Sequence, residues 1–169
     1  MTRADPPGTT AHHLALIGGR GCGKTSATRE LAARHPDLRL LELDALAIEE
    51  GDGRPVAEIV ADGGWRAWRE LEYRVLERSA STPGTAVIDC GGGIVVDIDA
   101  GGSEVFSQRK VDLLRRHCRV VYLRCDSELL GSRIAGDPGR PALSSEEPFP
   151  ALMARREAWY QAAAHRVIE

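Results

Sequence analysis

Residues 18–25, Gly18-Gly19-Arg20-Gly21-Cys22-Gly23-Lys24-Thr25, constrain this chain more than any other stretch. They follow G-x-x-x-x-G-K-[ST], with the apolar run 12–17 before them and the helical pattern 24–34 after them. Glycines let the backbone curl so that successive N–H groups face anionic oxygens, and the following helix adds the positive end of its dipole. Lys24 should then reach the terminal phosphates of a nucleotide, and the Thr25 hydroxyl should ligate a magnesium ion. The motif implies nucleotide binding. By itself it leaves a kinase, a GTPase and a motor all open.

Apolar and amphipathic runs alternate along the rest of the chain. Residues 12–17, 38–43, 85–89, 119–124 and 166–169 read as buried strands, and 24–34, 55–61, 64–80, about 108–117, 126–135 and 148–164 as helices. That alternation predicts an α/β fold, a parallel sheet with helices on both faces. In the 64–80 helix Trp65, Trp68, Leu71, Val75 and Leu76 form an apolar stripe facing the core. Residues 136–150 are rich in Gly, Pro and Ser, and long enough for a lid.

With 169 residues the chain reads as one domain, residues 12–169, behind a polar flexible tail, 1–11, that lacks the apolar block of a signal peptide. A net charge of −3 argues against nucleic acid as a partner. No stretch reaches the about 18 consecutive apolar residues of a membrane helix. Cys22, Cys90, Cys118 and Cys125 have no metal-site spacing, so they read as free thiols in a reducing cytoplasm rather than as a zinc site.

Chemistry on the acceptor side rests on carboxylates, glycines and arginines. The second strand ends in Leu41-Glu42-Leu43-Asp44, placing Glu42 and Asp44 at the carboxyl edge of the sheet, where ligands of open α/β sheets sit. They could handle an acceptor hydroxyl and the water shell of a metal; Asp44 could instead cap the helix after it. Asp89, ending the third strand, reads either as a Walker-B-type acid that orients magnesium through water or as an ordinary strand-end residue. Gly91, Gly92 and Gly93 bring backbone close to something or make a sharp exit turn. Arg69, with Glu72 three residues on to hold it, together with Arg140 in the lid and Arg156 on the last helix, could clamp a carboxylate and meet a phosphoryl group in transfer. Each of these arginines alone would read as a solvated surface residue.

Assembled, these motifs resemble the shikimate kinases, and the resemblance covers nearly all of the chain. The loop GGRGCGKT is similar to that of the second bacterial type, LELD to the family's D-x-D, and VAEIVADGGWRAWRELE to its helix carrying R-x-x-E. CGGGIV matches its triple glycine, GRPAL its lid and LMARREAWYQAAAHRVI its terminal R-x-x-x-Y segment. The resemblance implies a three-layer P-loop kinase fold with a five-stranded parallel sheet in the order 2-3-1-4-5 and a lid loop. It implies transfer of the γ-phosphate of ATP, with Mg²⁺ as cofactor, to the 3-hydroxyl of shikimate, a step toward the aromatic amino acids, by a cytoplasmic monomer.

By position, Gly19, Arg20, Gly21, Cys22, Gly23, Lys24, Thr25, Ser26, Arg133 and Arg140 would contact the nucleotide. Asp44 would bind the acceptor hydroxyls and act as base, with Lys24 and Arg140 stabilising the phosphoryl group. Arg69, Gly91, Gly92, Gly93 and Arg156 would hold the ring and its carboxylate, with Arg20 as an added contact. Thr25 would ligate the metal directly, with Glu42 and Asp89 acting through water.

The chain departs from the family pattern in four places. Glu42 stands where Asp is usual, and Asp89 where a small polar residue is common. Residues 97–109 add length after the triple glycine and read as a hairpin turning on Gly101–Gly102. The chain stops at RVIE, before the loop that packs on adenine in the family. Aminoshikimate or gluconate as acceptor, or a non-catalytic nucleotide-binding module, are the alternatives; the module predicts erosion of Asp44, Arg69, Arg140 and Arg156, all of which are present.

Overall fold

The computed structural model describes residues 12–134, 142–143 and 147–169. Its elements are β1 (His13–Ile17), α1 (Lys24–Arg34), β2 (Arg39–Glu42), α2 (Leu43–Glu50), α3 (Val56–Ala80), β3 (Ala86–Asp89), β4 (Val96–Ile98), β5 (Glu104–Phe106), α4 (Gln108–His117), β6 (Cys118–Leu123), α5 (Ser127–Ile134), α6 (Phe149–Ala163) and β7 (Arg166–Ile168).

Strands β2-β3-β1-β6-β7 form one sheet in that order, every pairing parallel. Counted alone in chain order, these five run second, third, first, fourth, fifth, as expected. A parallel sheet covered by helices buries both faces of its central strands, so those strands read as continuous apolar runs. β3 is buried along its whole length, and Ala15 and Ile17 of β1 are fully inaccessible. β2, at the sheet edge, is only half-buried. No helix among the described residues is long and apolar enough to cross a membrane.

Register decides what the carboxyl edge presents. Leu16 pairs with Asp89 and Glu42 pairs with the same Asp89, so β1 hands the chain to the phosphate loop directly beside Asp89, with Glu42 one strand further out. Gly64 breaks α3, with φ 68° and ψ 178°, a conformation that excludes an ordinary side chain. The two helical patterns, 55–61 and 64–80, are therefore two segments meeting at a kink. The extra length after β3 is an antiparallel hairpin, β4 with β5, in which Ile98 faces Glu104. Asp99 Oδ1 closes its turn by accepting from Gly101 N and Ser103 N, both at 2.9 Å.

His13 is 4% exposed, and its Nδ1 accepts from Ala86 N at 3.2 Å, tying β1 to the start of β3. Burial holds its pKa below the usual 6.5, because a protonated ring would lose both water and that bond. The stability it contributes is therefore whole above the ordinary value and is lost as pH falls through the lowered folded value. His13→Asn, which keeps an acceptor without a titration, should flatten the melting-temperature profile below pH 6.5 relative to the parent. Parallel profiles would contradict this account of His13.

Candidate active site

The phosphate loop leaves β1 at Gly18 and enters α1 through Gly23, whose φ of 94° only glycine adopts without strain. The first turn of α1 carries no acidic side chain of its own, which leaves the helix's positive end open to an anion in the loop. Lys24 is buried and folds over the loop, its Nζ donating to Gly18 O and Gly19 O, each at 2.9 Å. A phosphate placed in the loop would offer that ammonium a full charge in place of two carbonyl dipoles. Ser26 is exposed in the same turn, and Cys22 Sγ lies 3.6 Å from Lys24 Nζ. Arg133 of α5 donates from Nη1 to Gly21 O at 3.0 Å, which sets its guanidinium against the loop.

Thr25 Oγ1 donates to Asp89 Oδ2 at 2.6 Å, joining the first turn of α1 to the end of β3. Asp89 is 8% exposed, and burial raises its carboxyl above the ordinary range, against the pull of the Thr25 bond and the Lys24 charge. Neighbouring Glu42 raises it further, while Glu42 itself is held by Arg29 at 2.6 and 2.9 Å. A buried carboxylate whose charge is poorly solvated, beside a hydroxyl, is a favourable place for a cation. Among the described residues no three His, Cys, Asp or Glu side chains cluster to cage a metal. These residues therefore fit an ion that keeps its waters and takes phosphate oxygens as ligands, as magnesium does. All of these groups line a cleft of about 480 Å³.

Asp44 departs from the sequence expectation. The strand ends at Glu42, which is also the N-cap residue of α2, and Asp44 sits in the first turn of that helix. It therefore neither lies on the strand nor caps the helix; the turn projects it against Gly91. The triple glycine is explained by space rather than by conformation, because none of the three has a positive φ. A Cβ on Gly91 would overlap the Asp44 carboxylate, one on Gly92 would stand 3.2 Å from Arg20 N, and one on Gly93 would overlap the Arg69 guanidinium.

Behind the glycines lies a second, tighter pocket of about 30 Å³. Arg69, 2% exposed, donates from Nη1 to Glu72 Oε2 at 2.7 Å and lies 5.0 Å from the centre of the Trp65 ring. Its Nε is the buried side-chain donor left without a partner among the described residues. Arg156 is 1% exposed and also lines this pocket. Arg20, Asp44 and Gly92 line both the cleft and the pocket, which therefore meet on them. Arg140 lies outside the described residues, as does most of the 136–150 segment.

Several charged groups of this site escape the sequence reading. Lys110 is fully buried, donating from Nζ to Val96 O at 2.6 Å and to Glu72 Oε2 at 3.2 Å. Burial pushes its ammonium down, while in Glu72 the pull of Arg69 and Lys110 overcomes the effect of burial and lowers the carboxyl. The signal for Lys110 was its place on the apolar face of α4, one turn before Leu114. Glu104, which pairs with Arg156, carried no signal, because its partner comes from α6.

A sequence profile of the family described as "Shikimate kinase" matches residues 20–169. A shikimate kinase of Leptospira biflexa serovar Patoc is 40% identical over 153 residues, covering 90% of this chain and 83% of that protein. "Shikimate kinase 2" of Sodalis glossinidius is 34% identical over 163 residues, covering 93% and 86%. Among solved structures, a shikimate kinase from Acinetobacter baumannii in complex with shikimate superposes with a TM-score of 0.79 at 27% identity, covering 95% of this chain and 84% of that one.

If space is what Gly93 supplies, Gly93→Ala must displace a buried arginine and should cost about 1–3 kcal/mol of stability. The denaturant midpoint measures it, and an unchanged midpoint would show that the close approach does not constrain the fold.

Proposed function

The chain belongs to the shikimate kinase family, an ATP-dependent kinase of shikimate, and we propose how its residues carry the transfer to the 3-hydroxyl. What supports the reading is the meeting of the nucleotide cleft and the tighter pocket on Arg20, Asp44 and Gly92. A group held in one is thereby within reach of a group held in the other, which is the requirement of an in-line transfer.

ATP lies in the loop Gly19–Ser26 with its phosphates on the backbone N–H groups, and Arg133 runs along it. Lys24 leaves its two carbonyl partners for the β- and γ-phosphates, where its charge offsets that of the moving phosphoryl group. Thr25 would hold Mg²⁺ directly, and Asp89 and Glu42 its waters; when bound, the ion would supply charge neutralisation. Glu42, one methylene longer than the usual Asp, still lies in register with Asp89 at the sheet edge. Arg140, outside the described residues, would meet the phosphoryl group, as the family resemblance of its GRPAL segment implies.

Shikimate lies behind the triple glycine. Its carboxylate takes the unpartnered Nε of Arg69 and a donor of Arg156, an exchange of a stranded buried donor for a charge-assisted bond. Asp44 binds the acceptor hydroxyl and accepts its proton, and Gly91–Gly93 and Arg20 close the wall around the ring. The small volume of this pocket implies that the acceptor enters by opening it. One kinase domain, residues 12–169, supplies every group, so we take the unit to be a monomer that needs neither nucleic acid nor a membrane. Its four free cysteines agree with a reducing cytoplasm.

Arg69→Ala should raise the KM for shikimate about tenfold or more, at ~1.5–3 kcal/mol per charge-assisted bond, with the KM for ATP unmoved. An unchanged KM would remove Arg69 from the acceptor site. Asp44→Asn should lower kcat by about 10²–10⁴ while nucleotide still binds. Near-normal turnover would take the proton away from Asp44.

A further inference from the structure

The β4–β5 hairpin reaches one arginine of the acceptor pocket directly, from β5, and the other through Lys110 and Glu72, from β4. Glu104, the first residue of β5, accepts from Arg156 Nε at 3.0 Å on Oε2 and from Arg156 Nη2 on Oε1. One edge of that guanidinium is thus fixed by the protein itself, and Nη1 donates to Gly92 O at 3.5 Å. From the other strand, Val96 O holds Lys110, which shares Glu72 Oε2 with Arg69. Glu104 Oε2 also accepts from Arg155 Nη2 at 3.1 Å, but Arg155 is 37% exposed in its side chain and pairs outward with Glu147.

Arg156 is far too buried to be ordered by water, and a buried guanidinium with no counter-charge would be strongly unfavourable. Burial alone would depress its pKa; the pairing with Glu104 leads the interactions that raise it. A guanidinium is a planar fork, so fixing its Nε–Nη2 edge fixes the direction of every remaining N–H.

We propose that Glu104 is a positioning residue for acceptor recognition: it holds one edge of Arg156 so that Nη1 is aimed past Gly92 at the acceptor's carboxylate. This rests on the reading that Arg156 binds that carboxylate. The hairpin is then part of the acceptor site, although none of its side chains need touch the substrate.

The test is steady-state kinetics of the full chain, giving kcat and the KM values for shikimate and ATP, for the parent, Glu104→Gln, Glu104→Asp, Arg155→Ala and Arg156→Ala. Shikimate methyl ester serves as an acceptor without the carboxylate charge. Glu104→Gln should raise the shikimate KM about tenfold, leaving kcat and the ATP KM within about twofold, as expected for losing a charge-assisted bond that orients a binding group. The loss should be much smaller with the methyl ester, and Arg155→Ala should leave the shikimate KM in place. If Glu104→Gln does not fold, Glu104→Asp, which keeps the charge but shortens the reach, should show the same carboxylate-specific rise in KM.

A shikimate KM unchanged or lowered in the Glu104 variants, with Arg156→Ala raising it, would overturn the proposal while leaving the acceptor reading intact. A lowered value would mean that Glu104 competes with the substrate. Losses of kcat and ATP affinity alongside the shikimate effect would overturn it too, as general damage to the fold. An Arg156→Ala enzyme with normal shikimate KM would overturn the acceptor reading of Arg156, and the proposal with it.

Discussion

A Cβ at Gly91 or Gly93 would overlap the Asp44 or Arg69 side chain, and one at Gly92 would crowd the backbone of Arg20. The two halves of the site are held together by what packs into the space this leaves. Asp44 of α2 closes on the first, the backbone of Arg20 on the second, and the guanidinium of Arg69 on the third. On the far side, Gly92 O accepts from Tyr160 and Arg156 of α6. Three helices and the phosphate loop thus converge on one short piece of main chain. β3 delivers that piece to the sheet edge in fixed register, with Asp89 beside Leu16 and Glu42. The cleft and the tighter pocket meet across this wall, which is built of backbone.

Behind the wall the interior is charged. Arg69, Glu72, Lys110 and Arg156 are all nearly inaccessible, and taking such ions out of water costs several kcal/mol each before any pairing. Well-packed apolar residues would stabilise the fold better. The return is geometric: Glu72 Oε2 is shared by Arg69 and Lys110, Lys110 is anchored on Val96 O, and Arg69 is stacked near Trp65. Among the described residues Arg69 Nε is the buried polar side-chain atom left without a partner. That orphan is a standing cost to the fold that any hydrogen-bond acceptor reaching it would remove.

Much of this was legible in the sequence because it is local. The phosphate loop, the alternation of apolar and amphipathic runs, the kink at Gly64 between two helical patterns and the hairpin turn are each specified by neighbours in the chain. The resemblance carried by the loop, the triple glycine and the R-x-x-x-Y segment agrees with the family to which the chain belongs. Long-range pairings were not legible. Glu104 meets Arg156 across 52 positions and Thr25 meets Asp89 across 64, and neither partner's local pattern names the other. Asp44 was misplaced on a strand because LELD alternates like one, whereas the strand stops at Glu42 and the helix begins a residue before the aspartate. The reason for three glycines was also non-local, since it lies in the residues that approach them.

If cleft and pocket form one transfer path, ADP formation from Mg·ATP by the purified chain reports it most directly, measured with and without shikimate and beside gluconate. ADP produced in step with shikimate, and not with gluconate, is the result this arrangement predicts. ATP bound but hydrolysed no faster when shikimate is added would contradict it.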